Sequence, residues 1–243
     1  MATYNVRDLR DDRDAVTAVL RSLRCDVLCL QEVPRRWFER SSVSRLAREA
    51  ALRWVCGGRP SGGTAVFVSR RVDVLDHVAF RLPVPGPFTR TRGAAAVTVA
   101  LDGASLTAVS VHLPLDSELR ETHARIVRAR VAAQPTPAAD AGCLVLAGDL
   151  NEPPGGPAWA VLGAGLRDVG AGPGAAPTFP ALRPRRRIDA LFVGDGPRVT
   201  DVRVPGSAGA ATAADEPSLE DLRSASDHLP VVIDLVLPVP GRG

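Results

Sequence analysis

The chain contains no lysine, because all 30 of its Lys and Arg residues are arginine. Chemistry that needs a lysine amine, such as Schiff-base formation or the phosphate cradle of a P-loop, is therefore excluded. With no lysine, a phosphate clamp must use arginine forks, which bind phosphate through paired hydrogen bonds. The net charge of only +3 mildly favours an anionic substrate, but it falls short of the strongly basic balance typical of nucleic-acid-binding proteins.

Aromatic residues are also scarce, at 4% of the chain. The core must therefore be built mainly from Val, Leu and Ala. A length of 243 residues, with 45% hydrophobic residues, is enough to bury the core of one large globular domain. We expect a single domain over residues 1–243.

Cysteine is rare, and its spacing shows no Cys-x-x-Cys or Cys/His pattern. Buried free thiols are therefore expected rather than a zinc site or disulfides. No apolar run of about 18 residues occurs, and no signal-peptide pattern precedes the first predicted strand. These absences predict a cytoplasmic, reduced protein without a membrane partner. A Gly-x-Ser-x-Gly motif is missing too, which argues against a serine hydrolase. The four cysteines are Cys25, Cys29, Cys56 and Cys143.

The hydrophobic pattern predicts strands and helices that alternate first, then a run of hairpin strands, then a second alternation. Asp102-Gly103 lies between two strand-like segments and is a strong hairpin signal. Phe38 and Leu46 are expected core contacts of the second helix. This mixture favours an α/β fold, a four-layer α/β sandwich in which two packed mixed β-sheets are flanked by helices. The predicted strands are residues 2–6, 26–30, 63–68, 72–80, 94–101, 105–111, 143–147, 188–193, 199–204 and 231–237, and the predicted helices are 11–24, 34–52, 116–133 and 156–162.

Polar side chains lie next to several predicted strands, at the points where the strands begin or end. Gly148-Asp149-Leu150-Asn151 follows an apolar strand and brings a carboxylate and a carboxamide to the rim of a sheet. Asn5, Glu32 and His228 have comparable positions beside other predicted strands. Each of them has an ordinary explanation, such as a turn-forming Asn or a solvated Glu. Their joint occurrence at separate strand ends predicts a metal-assisted hydrolase.

Two further residues extend this group. His112 ends the apolar segment 106–111, where a core-edge histidine satisfied by hydrogen bonds is the ordinary explanation. Asp189 lies in a strand among apolar residues, and a buried carboxylate needs a partner. Histidine is a natural partner, because a carboxylate fixes the tautomer of an imidazole and raises its basicity. We expect Asp189 to pair with His228.

Taken in order, these segments resemble the endonuclease/exonuclease/phosphatase superfamily, which has the deoxyribonuclease I-like fold. The resemblance spans nearly the whole chain and is specific for the superfamily, but not for one branch of it. The abasic-site endonuclease branch is less similar, because its tyrosine-bearing segment has no counterpart here. Bacterial sphingomyelinases carry a signal peptide and an apolar aromatic hairpin, and inositol-phosphate phosphatases carry longer substrate loops, and this sequence shows none of these features. The matching motifs are Thr3-Tyr4-Asn5-Val6, Gln31-Glu32, Val111-His112-Leu113, Gly148-Asp149-Leu150-Asn151, Arg187-Ile188-Asp189 and Ser226-Asp227-His228-Leu229-Pro230.

The resemblance implies a Mg²⁺ or Mn²⁺ site at one edge of the sandwich. By that likeness Glu32 is the principal metal ligand, and Asn5 lies in or near the metal shell. Asp227 would assist the metal or the attacking water. Oxygen ligands with few carboxylates suit Mg²⁺, which keeps water and substrate phosphate in its shell.

The same resemblance implies a set of catalytic residues. Asp149 and Asn151 would orient the attacking water and hold the phosphate. His228, paired with Asp189, would transfer a proton or stabilise an oxyanion. His112, and Asn151 again, would bind the substrate, with His112 on a non-bridging phosphate oxygen.

The substrate is left open by these motifs. Arg90 and Arg92 precede a strand as a substrate-contacting arginine does in several branches, although a solvated loop explains them equally well. The leading hypothesis is a Mg²⁺-dependent phosphoesterase that hydrolyses phosphodiester bonds, with nucleic acid or nucleotide favoured as substrate. The alternative is a phosphatase or phosphodiesterase acting on a small phosphorylated metabolite or lipid head group. A binding module without the chemistry is a further hypothesis, against which the intact polar residues argue. We expect a monomer.

Overall fold

Two six-stranded β-sheets form the centre of the protein, whose structure is a computed structural model that describes residues 1–86, 89–133, 142–172, 175–207 and 216–238. The strands are β1 Ala2–Asn5, β2 Val27–Gln31, β3 Arg53–Gly57, β4 Ala65–Val68, β5 Asp73–Arg81, β6 Gly93–Leu101, β7 Ala104–His112, β8 Leu144–Asp149, β9 Arg167–Asp168, β10 Asp189–Val193, β11 Arg198–Arg203 and β12 Val231–Val236. The first sheet has the order β11-β12-β1-β2-β4-β3, and the second has the order β5-β6-β7-β8-β10-β9. Both are mixed, because β1 is parallel to β2 and β7 to β8 while the other pairs are antiparallel.

Helices cover the outer faces of both sheets. In the described part of the chain they are α1 Arg13–Ser22, α2 Glu39–Glu49, α3 Ser117–Ala132, α4 Pro157–Gly163 and α5 Leu219–Ala225, with short 3₁₀ helices at Arg7–Leu9 and Arg59–Ser61. Helices α1, α2 and α5 pack on the first sheet, and α3 and α4 pack on the second. The layer order is the predicted four-layer α/β sandwich. Of the helices described, none is long and apolar enough to cross a membrane.

Strand β6 shows how small apolar residues build these layers. Ala95, Val97 and Val99 belong to the core between the sheets, whereas Ala94 and Ala96 belong to the core beneath α3 and α4. The alternation follows because successive side chains of a strand point to opposite faces. The sequence of a strand that is covered on both faces is therefore one continuous apolar run. The four cysteines are buried free thiols, as predicted.

The main difference from the predicted elements is at the start of α2. The sequence predicts a helix from Pro34, but α2 begins at Glu39, because Phe38 has a left-handed backbone with φ of 62°. The predicted core contact of Phe38 is wrong, since its side chain is 84% exposed, whereas Leu46 is buried as predicted. The hydrophobic pattern also misses β3 and α5, because both are short and only partly buried.

One edge of the sandwich collects strand ends from both sheets. In the second sheet His112 pairs with Asp149 and Asp149 pairs with Asp189, so the three residues lie side by side on neighbouring strands. In the first sheet Asn5 and Gln31 are paired at the ends of β1 and β2. This edge therefore brings together polar residues that are far apart in the sequence.

Candidate active site

Asp149 lies at the centre of the polar cluster on this edge. It follows Gly148, whose φ is 153° and where a Cβ atom would collide with the carbonyl oxygen of Val111, so only glycine fits. Asn5 Nδ2 donates to Asp149 Oδ2 at 2.9 Å, and the Asn151 N–H donates to Oδ1 at 2.9 Å. The carboxyl group is buried, and burial raises the pKa of Asp149 to about 6. A carboxylate that titrates near neutral pH is suited to accepting a proton.

His228 precedes β12 and is held by Asp189 at the start of β10. Its Nδ1 lies 2.9 Å and 3.2 Å from the two carboxylate oxygens of Asp189, so the structure brings the predicted pair together. Its Nε2 lies 3.8 Å from Asp149 Oδ2. Burial alone lowers the pKa of His228, but the charges of Asp189 and Asp149 outweigh it and raise the pKa to about 10. The ring is therefore charged at neutral pH, and both its nitrogens are donors.

His112 is a second buried imidazole, and it is uncharged. Burial, together with the charges of Arg92 and His228, holds its pKa well below the usual range. Its Nε2 lies 3.2 Å from Nδ2 of Asn151, which also donates to the Leu113 carbonyl at 2.9 Å. A neutral ring carries one proton, and whether Nε2 accepts or donates depends on the tautomer of the ring. The two imidazoles of the cluster therefore differ in charge.

Glu32 adds a third carboxylate to the cluster, from the end of β2. Its backbone is left-handed, with φ of 52°, and its carbonyl accepts a hydrogen bond from the Asp8 N–H at 2.6 Å. Its side chain is 20% exposed, and Oε1 lies 3.8 Å from His112 Nε2. Among the described side chains, no arginine lies within ion-pair distance of this carboxylate. A carboxylate without a counter-charge at the rim of a polar cluster suits a bound cation.

Two overlapping groups of side chains offer ligands for a metal ion. Asp149, Asp189 and His228 each offer one ligand atom, and these atoms lie within 4.8 Å of one another. This group includes an imidazole nitrogen, whereas Mg²⁺ takes oxygen ligands. The oxygen atoms of Glu32 and Asn5, beside Asp149, fit a hard cation such as Mg²⁺ better.

Asp227, the third residue predicted near the metal, faces Arg7. Its Oδ2 lies 3.4 Å from Arg7 Nε, and its charge raises the pKa of Arg7. The Arg7 N–H donates to Asn5 Oδ1 at 3.0 Å, and its guanidinium also binds Asp11 at 3.1 Å. Sequence reasoning misses Arg7, because nothing local distinguishes one arginine among 30.

The two arginines predicted to contact substrate have different environments. Arg92 is only 5% exposed, which excludes the solvated loop as its explanation. Its Nε donates to the Leu113 carbonyl at 3.3 Å, while Nη1 has no partner in the described part of the chain. Arg90 is exposed, and its charge contributes to the low pKa of His112. A buried guanidinium donor without a partner is available to a phosphate oxygen.

Arg35 is a third cation near the site, and sequence reasoning places it inside a helix instead. It lies in the segment between Glu32 and α2, where its Nη1 donates to the carbonyls of Gly62 and Thr91, both at 3.1 Å. Its charge also lowers the pKa of His112. The segment that follows Glu32 is therefore anchored beside the cluster rather than pointing away from it.

Solved structures share this fold over nearly the whole chain. A mannosyl-6-phosphatase of Bacteroides thetaiotaomicron has a TM-score of 0.72 at 18% identity, covering 97% of this chain and 98% of its own. TDP2 of D. rerio, complexed with a single-strand DNA product, has a TM-score of 0.71 at 19% identity, covering 97% of both chains. An endonuclease/exonuclease/phosphatase of Beutenbergia cavernae has a TM-score of 0.68 at 25% identity, covering 97% of this chain and 70% of its own.

Sequence comparison places the chain in one family. Among curated proteins, none matches this chain. The model of the endonuclease/exonuclease/phosphatase family, in contrast, matches residues 2–228. The motifs at the strand ends and the four-layer sandwich agree with that match. The chain therefore belongs to the endonuclease/exonuclease/phosphatase family, as its motifs predict.

Proposed function

We propose that the protein is a phosphoesterase that uses a divalent metal ion and water to hydrolyse a phosphodiester. The observation that carries the proposal is the environment of Asp149, a buried carboxylate near two histidines of which one is neutral and one charged. A general base needs a pKa near the working pH, and the charge of a phosphoryl transition state needs positioned donors. Family membership supports the same class of reaction.

We infer that Glu32 is the principal protein ligand of the cation and that Asn5 lies beside it. Mg²⁺ or Mn²⁺ suits this set, because the donors are oxygen atoms and few of them are carboxylates. A bound cation would neutralise the charge that develops on the phosphoryl oxygens. Asp227 contributes negative charge to the same region, although its nearest partner is Arg7 at 3.4 Å.

The remaining residues transfer the proton of the attacking water, stabilise the developing negative charge and bind the phosphate. Asp149 takes a proton from the attacking water while the water oxygen bonds to phosphorus and the bond to the leaving oxygen breaks. His228, kept charged by Asp189, donates its Nε2 proton in a hydrogen bond to the oxygen that gains negative charge. Asn151 and His112, which contact each other, hold a non-bridging phosphate oxygen.

The substrate class is a separate part of the proposal. The sequence favours nucleic acid or nucleotide, with a small phosphorylated metabolite or lipid head group as the alternative. Relatives of the same fold include TDP2, complexed with a single-strand DNA product, and a protein named mannosyl-6-phosphatase. Arg35, Arg90 and Arg92 suit an anion in either case. The salt dependence of binding distinguishes the two substrate classes. Affinity for a nucleic acid falls steeply with ionic strength because many counterions are released, whereas affinity for a single phosphate falls only slightly.

Hydrolysis of bis-p-nitrophenyl phosphate tests the reaction. Mg²⁺ or Mn²⁺ should support release of p-nitrophenolate, and EDTA should abolish it. Asp149→Asn should lower the rate by about 10²–10⁴, the usual loss for a positioned proton-transfer group. Asp201→Asn is a matched control, since Asp201 is a half-exposed carboxylate on β11, and it should keep the rate. Turnover that survives EDTA, or an Asp149→Asn variant as active as the control, contradicts the proposal.

A further inference from the structure

The four most exposed large hydrophobic side chains in the described part of the chain lie on loops next to the strand ends that carry the candidate site. They are Trp37, Phe38, Leu115 and Leu182, with exposed fractions of 94%, 84%, 77% and 68%, and we call them the apolar rim. Two of them are adjacent aromatic residues in a chain with only 4% aromatics. Single exposed hydrophobic residues are ordinary, but several at one place mark an interaction surface.

Three different loops carry the apolar rim. All three adjoin the edge of the sandwich where the residues of the candidate site are collected. Trp37 and Phe38 lie in the loop after β2, Leu115 in the loop after β7, and Leu182 in the loop before β10. These are the same strand ends that carry Glu32, His112 and Asp189. The rim is therefore made by the topology and not by one sequence segment.

Hydrogen bonds fix two of these loops against the site. The Ala181 N–H, next to Leu182, donates to the Asp227 carbonyl at 2.7 Å. Arg35, two residues before Trp37, donates to the Thr91 carbonyl at 3.1 Å. The exposed side chains consequently project from loops that are anchored beside the proposed metal and phosphate ligands.

Positive charge accompanies the apolar side chains. Arg36, Arg90 and Arg183 are exposed on or beside these loops, and none has a carboxylate within ion-pair distance among the described residues. The exposed acids Asp116 and Glu118 lie beside Leu115, so the positive charge is concentrated near the other two loops. Apolar tips flanked by arginine are the combination that binds an anionic lipid surface, since the tips enter the acyl boundary and the arginines face the head groups.

We propose that the apolar rim docks the protein on an anionic phospholipid bilayer and that the substrate is a lipid phosphoester presented there. The substrate assignment rests on the proposed phosphoester hydrolysis. A single-stranded nucleic acid explains the aromatic pair by base stacking and the arginines by phosphate contacts, but it leaves Leu115 and Leu182 unexplained. A bilayer explains all four side chains, because aliphatic and aromatic groups are both buried at its interface.

Sedimentation with vesicles tests the docking. The protein should bind vesicles in which about a third of the phosphatidylcholine is replaced by phosphatidylglycerol, and bind phosphatidylcholine alone more weakly. Trp37→Ser/Phe38→Ser should reduce the binding by about tenfold or more, because two large apolar side chains no longer leave water.

Leu75→Ser is the matched control, since Leu75 is 53% exposed on β5. It lies near the opposite edge of the sandwich, because the Arg81 end of β5 is the one that reaches, through Gly93, the His112 end of β7. The control should bind vesicles as the wild type does. Equal losses in the control and the Trp37→Ser/Phe38→Ser variant contradict the assignment of the rim.

Turnover of soluble bis-p-nitrophenyl phosphate by the wild-type protein reports the proposed function separately. Turnover without vesicle binding overturns the lipid assignment and leaves the hydrolase proposal standing. Vesicle binding without turnover of any phosphoester overturns the hydrolase and the lipid substrate, but not the docking surface. If vesicles are not bound, and a labelled single-stranded oligonucleotide or a second copy of the chain is bound through Trp37 and Phe38, the rim belongs to that partner instead.

Discussion

Replacing Arg120 by methionine should destabilise the protein by about 3–5 kcal/mol, the usual cost of removing one partner from a buried ion pair. Arg120 lies on α3 and pairs with Glu152, and their side chains are only 10% and 5% exposed. The Arg120 Nε donates to Glu152 Oε1 at 3.2 Å. Methionine keeps an unbranched apolar side chain but removes the charge, so Glu152 would be left buried without its counter-charge.

The same guanidinium also supports the proposed phosphate-binding loop. Its Nη1 donates to the carbonyls of Asn151 at 3.0 Å and Leu115 at 2.9 Å, and Glu152 Oε2 accepts the Trp159 N–H at 2.8 Å. The pair thus connects α3, the Asn151 loop and the start of α4. Turnover by Arg120→Met should therefore fall even where the variant is folded, because Asn151 loses an anchor.

Urea denaturation followed by circular dichroism measures the loss of stability. Arg125→Met is the control on the same helix, because it breaks an exposed pair with Glu121, whose side chains are 67% and 36% exposed. It should cost no more than about 0.5 kcal/mol. Arg120→Met/Glu152→Gln should recover part of the loss, since no unpaired charge remains. An Arg120→Met variant as stable as Arg125→Met would refute the reasoning.

Three further outcomes follow from the site. Glu32→Gln should weaken Mg²⁺ binding in calorimetric titration while the fold survives, and unchanged affinity would remove Glu32 from the metal site. His228→Ala and Asp189→Asn should each lower turnover by about 10²–10⁴ without additivity, since they act as a unit, and a nearly active His228→Ala variant would argue against the pair. In EDTA, the stability that His228 contributes should be fully present below pH 6.5 and be lost as the pH rises through about 10, because its folded pKa lies above the unfolded value. Melting temperatures of the wild type and His228→Gln should therefore converge from pH 6.5 to about 10, and a gap that widens would contradict the raised pKa.

Much of the fold could be predicted because its signals are local. Asp102-Gly103 predicts a hairpin, and both residues do have positive φ, at 49° and 81°, where they connect β6 and β7. The apolar runs of the central strands are long enough to identify, since both of their faces are covered. Edge strand β3 is half-exposed and has no such run, so the same reasoning misses it.

The candidate site could be predicted in part, for a different reason. Asn5, Asp149 and His228 each lie where a predicted strand ends or begins, and their convergence needs only the topology of the two sheets. The hydrogen bond from Asn5 to Asp149 joins residues 144 positions apart, a contact that no local pattern specifies. The environments of Arg35 and Arg92 are harder to predict from the sequence, because they depend on burial and on hydrogen bonds to distant backbone carbonyls.

The apolar rim was beyond sequence reasoning because of one backbone conformation. A helix that begins at Pro34 would turn Phe38 towards the core, and the predicted core contact of Phe38 depends on that helix. The left-handed residue at 38 delays the helix, so Trp37 and Phe38 stay in water on the loop that leaves Glu32. Leu115 and Leu182 join them only because two other strands end at the same edge. A scan for membrane segments searches for long continuous apolar runs, whereas a docking surface needs only one or two side chains from each loop.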